Sequence, residues 1–514
     1  MKHGALSADL AVIAVCALTL LVGTYGVRLA RTTSDFYVAS RAVGSRLNAS
    51  AISGEYLSAA SFLGVAGLVL LRGVDSLWYP VGWTAGYLML LIFVAAPLRR
   101  SRAYTIADFA ELRLESMTAR RITSAVVVLI GVLYLVPQLQ GAGLTLQTLT
   151  DAPSWLGAGV VATVVLANVT AGGMRSITIA QAFQYWLKFW ALLIPLAWLL
   201  IQWHQDGTPH PHPNQTAWVE PMRGPHAGYL TYSLIAATFL GTMGLPHVAV
   251  RFYTNRDGTS ARRTTLVVLA MLSGFYLLPT LYGVLGRIYA SDLIASGHTD
   301  SVVLELPRRM LGQSAGDMVS AVLAAGAFAA FLSTSSGLVV SVGGVVAQDL
   351  IGTRLEGVAA FRIAAGAAAA VTLVIAILSS GLAVAHAVEL AFAVAASTLS
   401  PLLILGIWWR GLTAAGAMIG LVVGGALSAA AVVSVMVGVH LTGWPEAMVA
   451  QPALITVPIA FAAMVLGSLA TASRKPEHVG RTMVRLHTPE EVEVDRGAFH
   501  PEKRRVRDSI RSAR

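Results

Sequence analysis

The stretch Asn48-Ala-Ser-Ala-Ile-Ser-Gly-Glu-Tyr-Leu-Ser-Ala-Ala-Ser-Phe-Leu-Gly64 decides the fold. It is apolar enough to enter a bilayer, yet Gly54, Ser58 and Ser61 cluster in it with a carboxylate, Glu55. A helix that crosses lipid must satisfy its own backbone groups. Breaks are tolerated where they line a cavity, and transporters use them to hold ions and substrates. A second interrupted stretch, Gly241-Thr-Met-Gly-Leu-Pro-His247, carries Pro246, which removes a backbone donor and displaces a carbonyl. The two breaks lie five apolar segments apart. Segments two to six and seven to eleven therefore read as the halves of an inverted repeat.

The rest of the chain agrees. Of its 514 residues 56% are apolar and 12% are charged, about half the charged share of a soluble domain, and the mean hydropathy is +0.68. A soluble core of this length cannot hide that much apolar surface. Soluble enzymes, secreted disulfide scaffolds and disordered chains are excluded, and the single cysteine, Cys16, allows no intrachain disulfide. A bilayer needs about 20 apolar residues per helix. About 13 such stretches are found, near 7–29, 49–71, 76–97, 123–149, 155–172, 178–202, 229–250, 265–289, 317–347, 361–382, 385–408, 414–438 and 452–472. The fold class is an all-α polytopic membrane protein. Residues 1–472 form the transmembrane domain, with a repeat core over about 48–408, and 473–514 form a cytoplasmic tail.

The net charge of +10 and pI near 9.9 raise the question of nucleic acid. The distribution of arginine answers it. With the N-terminus outside, about 29 Lys and Arg fall on the cytoplasmic side and about 6 outside, the asymmetry that the positive-inside rule demands. The clusters Arg99, Arg100, Arg102 and Arg256, Arg262, Arg263 fall inside. The first segment keeps Arg28 and Arg31 after its apolar run and has no small-x-small cleavage site, so it reads as a retained helix. The expected partners are a lipid bilayer and a small solute, with no nucleic acid; the expected location is the plasma (inner) membrane. The tail ends in a basic run, Lys503 to Arg514, suited either to water or to anionic lipid. The loop 203–228 carries His204, His210, His212 and His226 among prolines, without regular metal-ligand spacing.

Polar groups inside the apolar segments mark the site. Ser333, Thr334, Ser335 and Ser336 follow Ala329 and Ala330 in the ninth segment. Oxygens at this density suit a hard cation such as sodium, although Ser and Thr also return hydrogen bonds to the preceding turn. Gln181, Gln184 and Lys188 share one helix face. A charge at mid-bilayer costs about 2.5–3.5 kcal/mol on insertion scales, so it needs a partner or a wet cavity. Three readings of Lys188 stand: pairing with a carboxylate, attracting an anionic substrate, or snorkelling to an interface, the last being the default. Glu389 and His386 lie near a short loop, where exposure is expected.

Several strings together resemble the solute:sodium symporter family over about residues 33–472, and its acetate and short-chain monocarboxylate permease branch in particular. They are Asp35-Phe-Tyr-Val-Ala-Ser-Arg41, Tyr56-Leu-Ser-Ala-Ala-Ser-Phe-Leu-Gly64, Tyr104-Thr-Ile-Ala-Asp108, Gly172-Gly-Met174 and Gly244-Leu-Pro-His-Val-Ala-Val-Arg-Phe-Tyr253. The resemblance implies 13 helices, a five-plus-five inverted repeat after the first, and alternating access around a midplane site. It implies a sodium site of carbonyls at Gly54, Leu57 and Ala330 and hydroxyls at Ser333 and Thr334. Where other branches carry an aspartate that helps ion coupling, this chain has Gln181. Substrate-lining positions are Tyr56, Ser58, Ser61, Gln138, Thr242 and Met243, and Glu55 is the candidate for a coupling proton or a charge balance.

The expected function is sodium-coupled import of acetate or a related monocarboxylate, with sodium as the coupling ion, a proton as the alternative, and no other cofactor. Transport of proline, a sugar or a vitamin on the same fold is the nearest competitor. An intramembrane zinc enzyme would need a motif such as H-E-x-x-H, which is absent, and a sensor would need a long soluble output domain.

The orientation is testable in intact cells. Single cysteines near His210 should be labelled by an impermeant thiol reagent, and single cysteines near Gly497 should not. Labelling of the tail site would invert the topology.

Overall fold

The computed structural model describes residues 2–27, 43–211, 218–222, 224–351, 357–379, 384–490, 492–493 and 498–499. The string Asp35–Arg41, together with Arg28, Arg31, His212 and the basic run 503–514, lies outside the described residues.

Eleven continuous helical segments are long and apolar enough to cross a membrane. Two of them hold two passes each. Ala60–Ser101, 42 residues long, is broken by a tight turn at Gly73–Leu77, and Ser154–Gln205, 52 residues long, turns back at Gly173. Counting each of these twice brings eleven to thirteen passes among the described residues. Gly73 (φ 65°) and Gly173 (φ 57°) sit in the left-handed half of backbone space, which a side chain rarely adopts, so glycine is required at both turns.

The two breaks read from the sequence are present. The second pass is a helix at Ser45–Tyr56, an extended link at Leu57, and a second helical piece at 59–72. The seventh is Ala227–Gly244 followed by Pro246–Tyr253, with Leu245 extended between them and Pro246 at the first helical position, where its missing N–H costs nothing. The eleventh pass, Val384–Ser397 and Leu399–Trp408, is also interrupted, at Thr398.

Burial separates core passes from lipid-facing ones. The eleventh, seventh and ninth passes have 89%, 78% and 72% of their apolar windows enclosed, whereas the first, twelfth and thirteenth have 33%. The exposed faces carry Leu21, Trp186, Ile194, Leu277 and Leu466, side chains that lipid solvates and water does not. The sixth pass packs against the first, second and ninth, which places its polar face at the centre.

The ends of the passes are capped as helices in water are. Thr105 and Asp108 form a reciprocal capping box before Ile106–Leu114, and Asp257 and Thr413 accept from the backbone of the helices they start. In the tail, Val479–His487 is not a free strand of charge but an amphipathic helix. It is docked on the arginine-rich end of the bundle, with His487 against Trp408 and Arg100 donating to Leu486 O. A two-residue antiparallel pair, Val492–Glu493 with Ala498–Phe499, follows it.

The centre tolerates no added atoms. A Cβ at Gly54 would lie 2.2 Å from the backbone oxygen of Gln181, which has no rotamer to move. Gly344, in the ninth pass, meets nothing within 4 Å. Gly54→Ala should therefore destabilise the protein by about 1–3 kcal/mol, the usual effect of overpacking. Gly344→Ala should be neutral or slightly stabilising, because alanine is the better helix former. Thermal unfolding in detergent checks both, and equal effects would contradict the packing described.

Candidate functional site

At the break of the second pass the chain leaves the helix after Tyr56, and the carbonyls of Gly54 and Leu57 lose their places in the ladder. The sixth and ninth passes close around them. Four of the oxygens expected to hold sodium are gathered here. Ser333 Oγ lies 2.7 Å from Gly54 O and 3.0 Å from Ala330 O, and the Leu57 carbonyl faces the same side chain of the sixth pass as Gly54. Thr334 Oγ1 turns away and donates to Glu55 O at 2.6 Å.

That shared side chain is Lys188. Its Nζ donates to Gly54 O (2.6 Å), Leu57 O (2.7 Å) and Ser333 Oγ (2.9 Å). Lys188 is fully buried, so snorkelling to an interface, the default from sequence, is overturned. The physical reason is that a broken helix offers carbonyls at mid-membrane that solvate an ammonium in place of water. Two unit charges about 3 Å apart repel by about 5 kcal/mol even at an effective dielectric of about 20. A sodium ion at these oxygens therefore requires Lys188 to move away or lose its proton.

Beside it lies a charge network that sequence reasoning split apart. Glu55 Oε2 accepts from Arg251 Nε at 2.5 Å, and both side chains are buried. Arg251 also donates to Thr178 Oγ1 at 2.7 Å and to Gln181 Oε1. Gln181 Nε2 completes the link by donating to Ser333 O at 2.7 Å. The network joins the second, sixth, seventh and ninth passes on the arginine-rich side of the two breaks. Glu55, the coupling candidate, thus has its charge answered by Arg251. Arg251 stood inside the quoted string Gly244–Tyr253, but nothing in one-dimensional spacing pairs it with residue 55.

On the other side of the breaks is a cluster of buried rings, here called the aromatic chamber. Tyr56 packs edge-on against Tyr87 (4.8 Å) and shares a hydrogen bond with Thr242 Oγ1 (2.8 Å). Ser61 meets the Tyr276 hydroxyl at 3.0 Å, and Gln138 Oε1 accepts from the Ala59 N–H, a donor freed by the break. Ser58 and Met243 are buried at the two breaks. The six substrate positions are thus all buried at or beside the breaks. The sequence missed Trp83, Tyr87, Tyr134 and Phe392, which with His247 of the second break stack around them: Trp83 against Phe392 (5.8 Å) and Tyr276 (5.8 Å), Tyr134 against His247 (5.2 Å) and Phe392 (5.7 Å). Among the described residues, Trp83 Nε1, the Tyr87 hydroxyl and both ring nitrogens of His247 are buried without a hydrogen-bond partner. Buried polar groups are nearly always paired, so these atoms are exceptions.

Away from the arginine-rich end lies a cavity of about 480 Å³, lined by Arg72, Asp75, Tyr79, Arg287, His386 and Gln451 among others. Glu389, bonded to three of these lining residues, is buried rather than exposed as expected. Tyr79 donates to its Oε2 at 2.6 Å, His386 lies 3.3 Å from the same oxygen, and Gln451 Nε2 reaches Oε1.

Comparison with known proteins places the chain. The sequence model of the family described as "Sodium:solute symporter family" matches residues 36–424. An uncharacterized symporter of Bacillus subtilis, YwcA, is 29% identical over 515 residues, covering 95% of this chain and 100% of that protein. A monocarboxylic acid transporter of Corynebacterium glutamicum is 29% identical over 493 residues, covering 87% and 88%. Among solved structures, the substrate-bound, outward-open state of a Na⁺-coupled sialic acid symporter superposes with a TM-score of 0.70 at 14% identity, covering 91% of this chain and 97% of that one. Mhp1, a nucleobase-cation-symport-1 family transporter in a closed conformation, superposes with a TM-score of 0.57 at 13% identity, covering 88% and 99%. These likenesses establish the fold.

The Glu55–Arg251 pair supplies a stability test. Glu55→Gln leaves a buried guanidinium without its counter-charge, and breaking a buried pair costs about 3–5 kcal/mol. The double variant Glu55→Gln, Arg251→Gln should recover much of that loss. A double variant as unstable as the sum of the two singles would mean that the two groups do not interact.

Proposed function

We propose, from the premise that the chain belongs to the sodium:solute symporter family, that this symporter is a cation-coupled importer of short-chain monocarboxylates such as acetate, propionate or pyruvate. The protein is a multi-pass membrane transporter and not an enzyme. The observation that carries the substrate reading is the set of unpartnered buried donors around the aromatic chamber: Trp83 Nε1–H, Tyr87 O–H and the His247 ring.

A carboxylate accepts hydrogen bonds through two oxygens and donates none when ionised. Trp83 can only donate, and Tyr87 and a neutral His247 each have one hydrogen to give. The walls between them are rings of Tyr56, Tyr134, Tyr276 and Phe392, which suit a methyl or a short alkyl group. The neutral walls also leave the charge of the substrate to be met by hydrogen bonds and by the nearby cation. The 29% identical monocarboxylic acid transporter supports the same class of substrate.

Import proceeds by opening the chamber first to one side of the bundle and then to the other. The two broken passes are the hinges, because Leu57 and Leu245 are extended residues between short rigid helices. Substrate in the chamber touches the outer halves of both passes, and the cation place lies at the break of the second, so both occupants bear on one conformational change.

Radiolabelled acetate uptake should be competed by propionate and pyruvate, and not by proline or glucose. A site built to hydrogen-bond one carboxylate leaves a ring of hydroxyls without partners. Trp83→Phe removes one donor while keeping the ring and should raise KM about tenfold or more, the value of one hydrogen bond to a charged group. Competition by proline stronger than by propionate would overturn the substrate assignment.

A further inference from the structure

We propose that the tail helix Val479–His487, with Glu490 just beyond it, is a strap across the arginine-rich end of the bundle: it holds closed the seam that must part for solute to leave on that side, and so limits the rate of exchange. The proposal rests on the symporter reading above for its alternating access, and not on the identity of the substrate.

Two blocks of passes meet at this seam. In the first, the inner halves of both broken passes are tied to each other and to their neighbours. Asn48 Nδ2 donates to Arg251 O (3.4 Å), and Thr254 Oγ1 donates to Asn48 Oδ1 (3.2 Å). Arg99, at the end of the third pass, donates to Asn255 O (2.5 Å) and Arg256 O (2.6 Å). Thr264 of the eighth pass donates to Asn255 Oδ1 (2.8 Å). The second, third, seventh and eighth passes, the first two of each repeat half, are thus joined at this end.

The second block is joined through the short helix Ile106–Leu114. Its Arg113 donates to Gly406 O (2.8 Å) and Trp409 O (2.9 Å), at the end of the eleventh pass. Arg120, near the start of the fourth pass, binds Asp108 and Glu111 of the short helix and Asp349 at the end of the ninth. Between the blocks, Tyr253 Oη donates to Thr105 O (3.2 Å) and Trp408 Nε1 to Phe93 O (3.0 Å).

The tail bonds to both blocks. On the first, Arg100 Nη1 donates to Leu486 O and His487 O (3.4 Å each), and Arg100 Nε lies 3.6 Å from Glu490 Oε2. Glu490 Oε1 accepts from the N–H of Gly258 at 2.7 Å. Gly258 is the first residue of the eighth pass, so the carboxylate also faces the positive end of a long helix. On the second block, the N–H of His478 donates to Glu115 Oε1 at 3.0 Å, just past the short helix. The His487 ring lies 4.8 Å from that of Trp408, beside the residue that Arg113 holds. Met483 and Leu486 are buried beneath the helix.

Transporters built from inverted repeats move largely by rocking one block against the other. A segment bonded to both blocks stabilises the state in which they touch and contributes nothing once they part, so it shifts the equilibrium toward closure. Exposed charged contacts are worth little each. The tail is therefore a brake on opening and not a lock.

The test uses the full chain. Leu486→Asp puts a carboxylate into the buried contact and should release the helix, read in detergent as faster hydrogen exchange of residues 479–487. With no solute present, exchange at residues 45–56 and 246–253 should then rise severalfold, while residues 123–149 of the fourth pass keep the wild-type rate. In proteoliposomes the variant should exchange radiolabelled pyruvate about threefold to tenfold faster than an equal amount of wild type, the effect of losing a few such contacts. A released tail with exchange unchanged or slower would overturn the proposal and leave the helix a structural prop. Glu490→Gln removes the ion pair with Arg100 without touching the buried contact, and should speed exchange by about twofold. It decides the matter should Leu486→Asp fail to fold, since a rate no faster than wild type would again overturn the proposal. A wild type that exchanges no pyruvate would refute the substrate reading. The hydrogen exchange of the two inner half-helices would still decide the strap, because rates there that ignore the release of the tail contradict it.

Discussion

One buried amine organises this transporter. Lys188 Nζ reaches three oxygens of the second and ninth passes, at the point where the second pass stops being a helix. A broken helix in a membrane leaves carbonyls that must be answered, and a buried cation needs oxygens. Each problem is the solution of the other. Everything else at the centre is arranged around this exchange. Glycine at position 54 lets the sixth pass come within reach, since a Cβ there would strike the Gln181 backbone. Ser333 accepts from Lys188 and lies within hydrogen-bond reach of the Gly54 and Ala330 carbonyls, closing the ring of oxygens.

The second organising feature is the separation of charge from substrate. The Glu55–Arg251–Gln181 network lies on one side of the breaks and the aromatic chamber on the other. Gly337 packs against Glu55 so closely that a Cβ would overlap Oε1, which keeps the carboxylate pointed at Arg251. The rings beyond the breaks are then accompanied by neutral donors alone.

Much of this was legible in the chain itself. The thirteen passes follow from apolar runs because lipid admits only helices with their backbone satisfied. The breaks at Gly54–Ser58 and Leu245–Pro246 follow from glycine, serine and proline placed where a helix would otherwise run on. The residues of the cation place were named from the ninth-pass hydroxyls together with the family resemblance. That Lys188 reaches the same oxygens was not. Lys188 has the same spacing from Gln181 and Gln184 whether it snorkels or turns inward, and only the position of the second pass decides between them. Trp83, Tyr87, Tyr134 and Phe392 were missed for a related reason. Aromatic residues are frequent in membrane helices, and no periodicity tells a ring facing lipid from one facing a chamber. Glu389 was expected in water because it lies near a loop, and is instead buried under Tyr79 and Gln451.

The central claim, that the Lys188 amine fills the cation place, is most directly tested by a high-resolution electron cryomicroscopy structure at neutral pH in a high concentration of sodium. The account predicts continuous side-chain density for Lys188 reaching Gly54 O, Leu57 O and Ser333 Oγ, with no separate ion among them. A discrete density peak at about 2.4 Å from these oxygens, with the Lys188 side chain turned elsewhere, would contradict it.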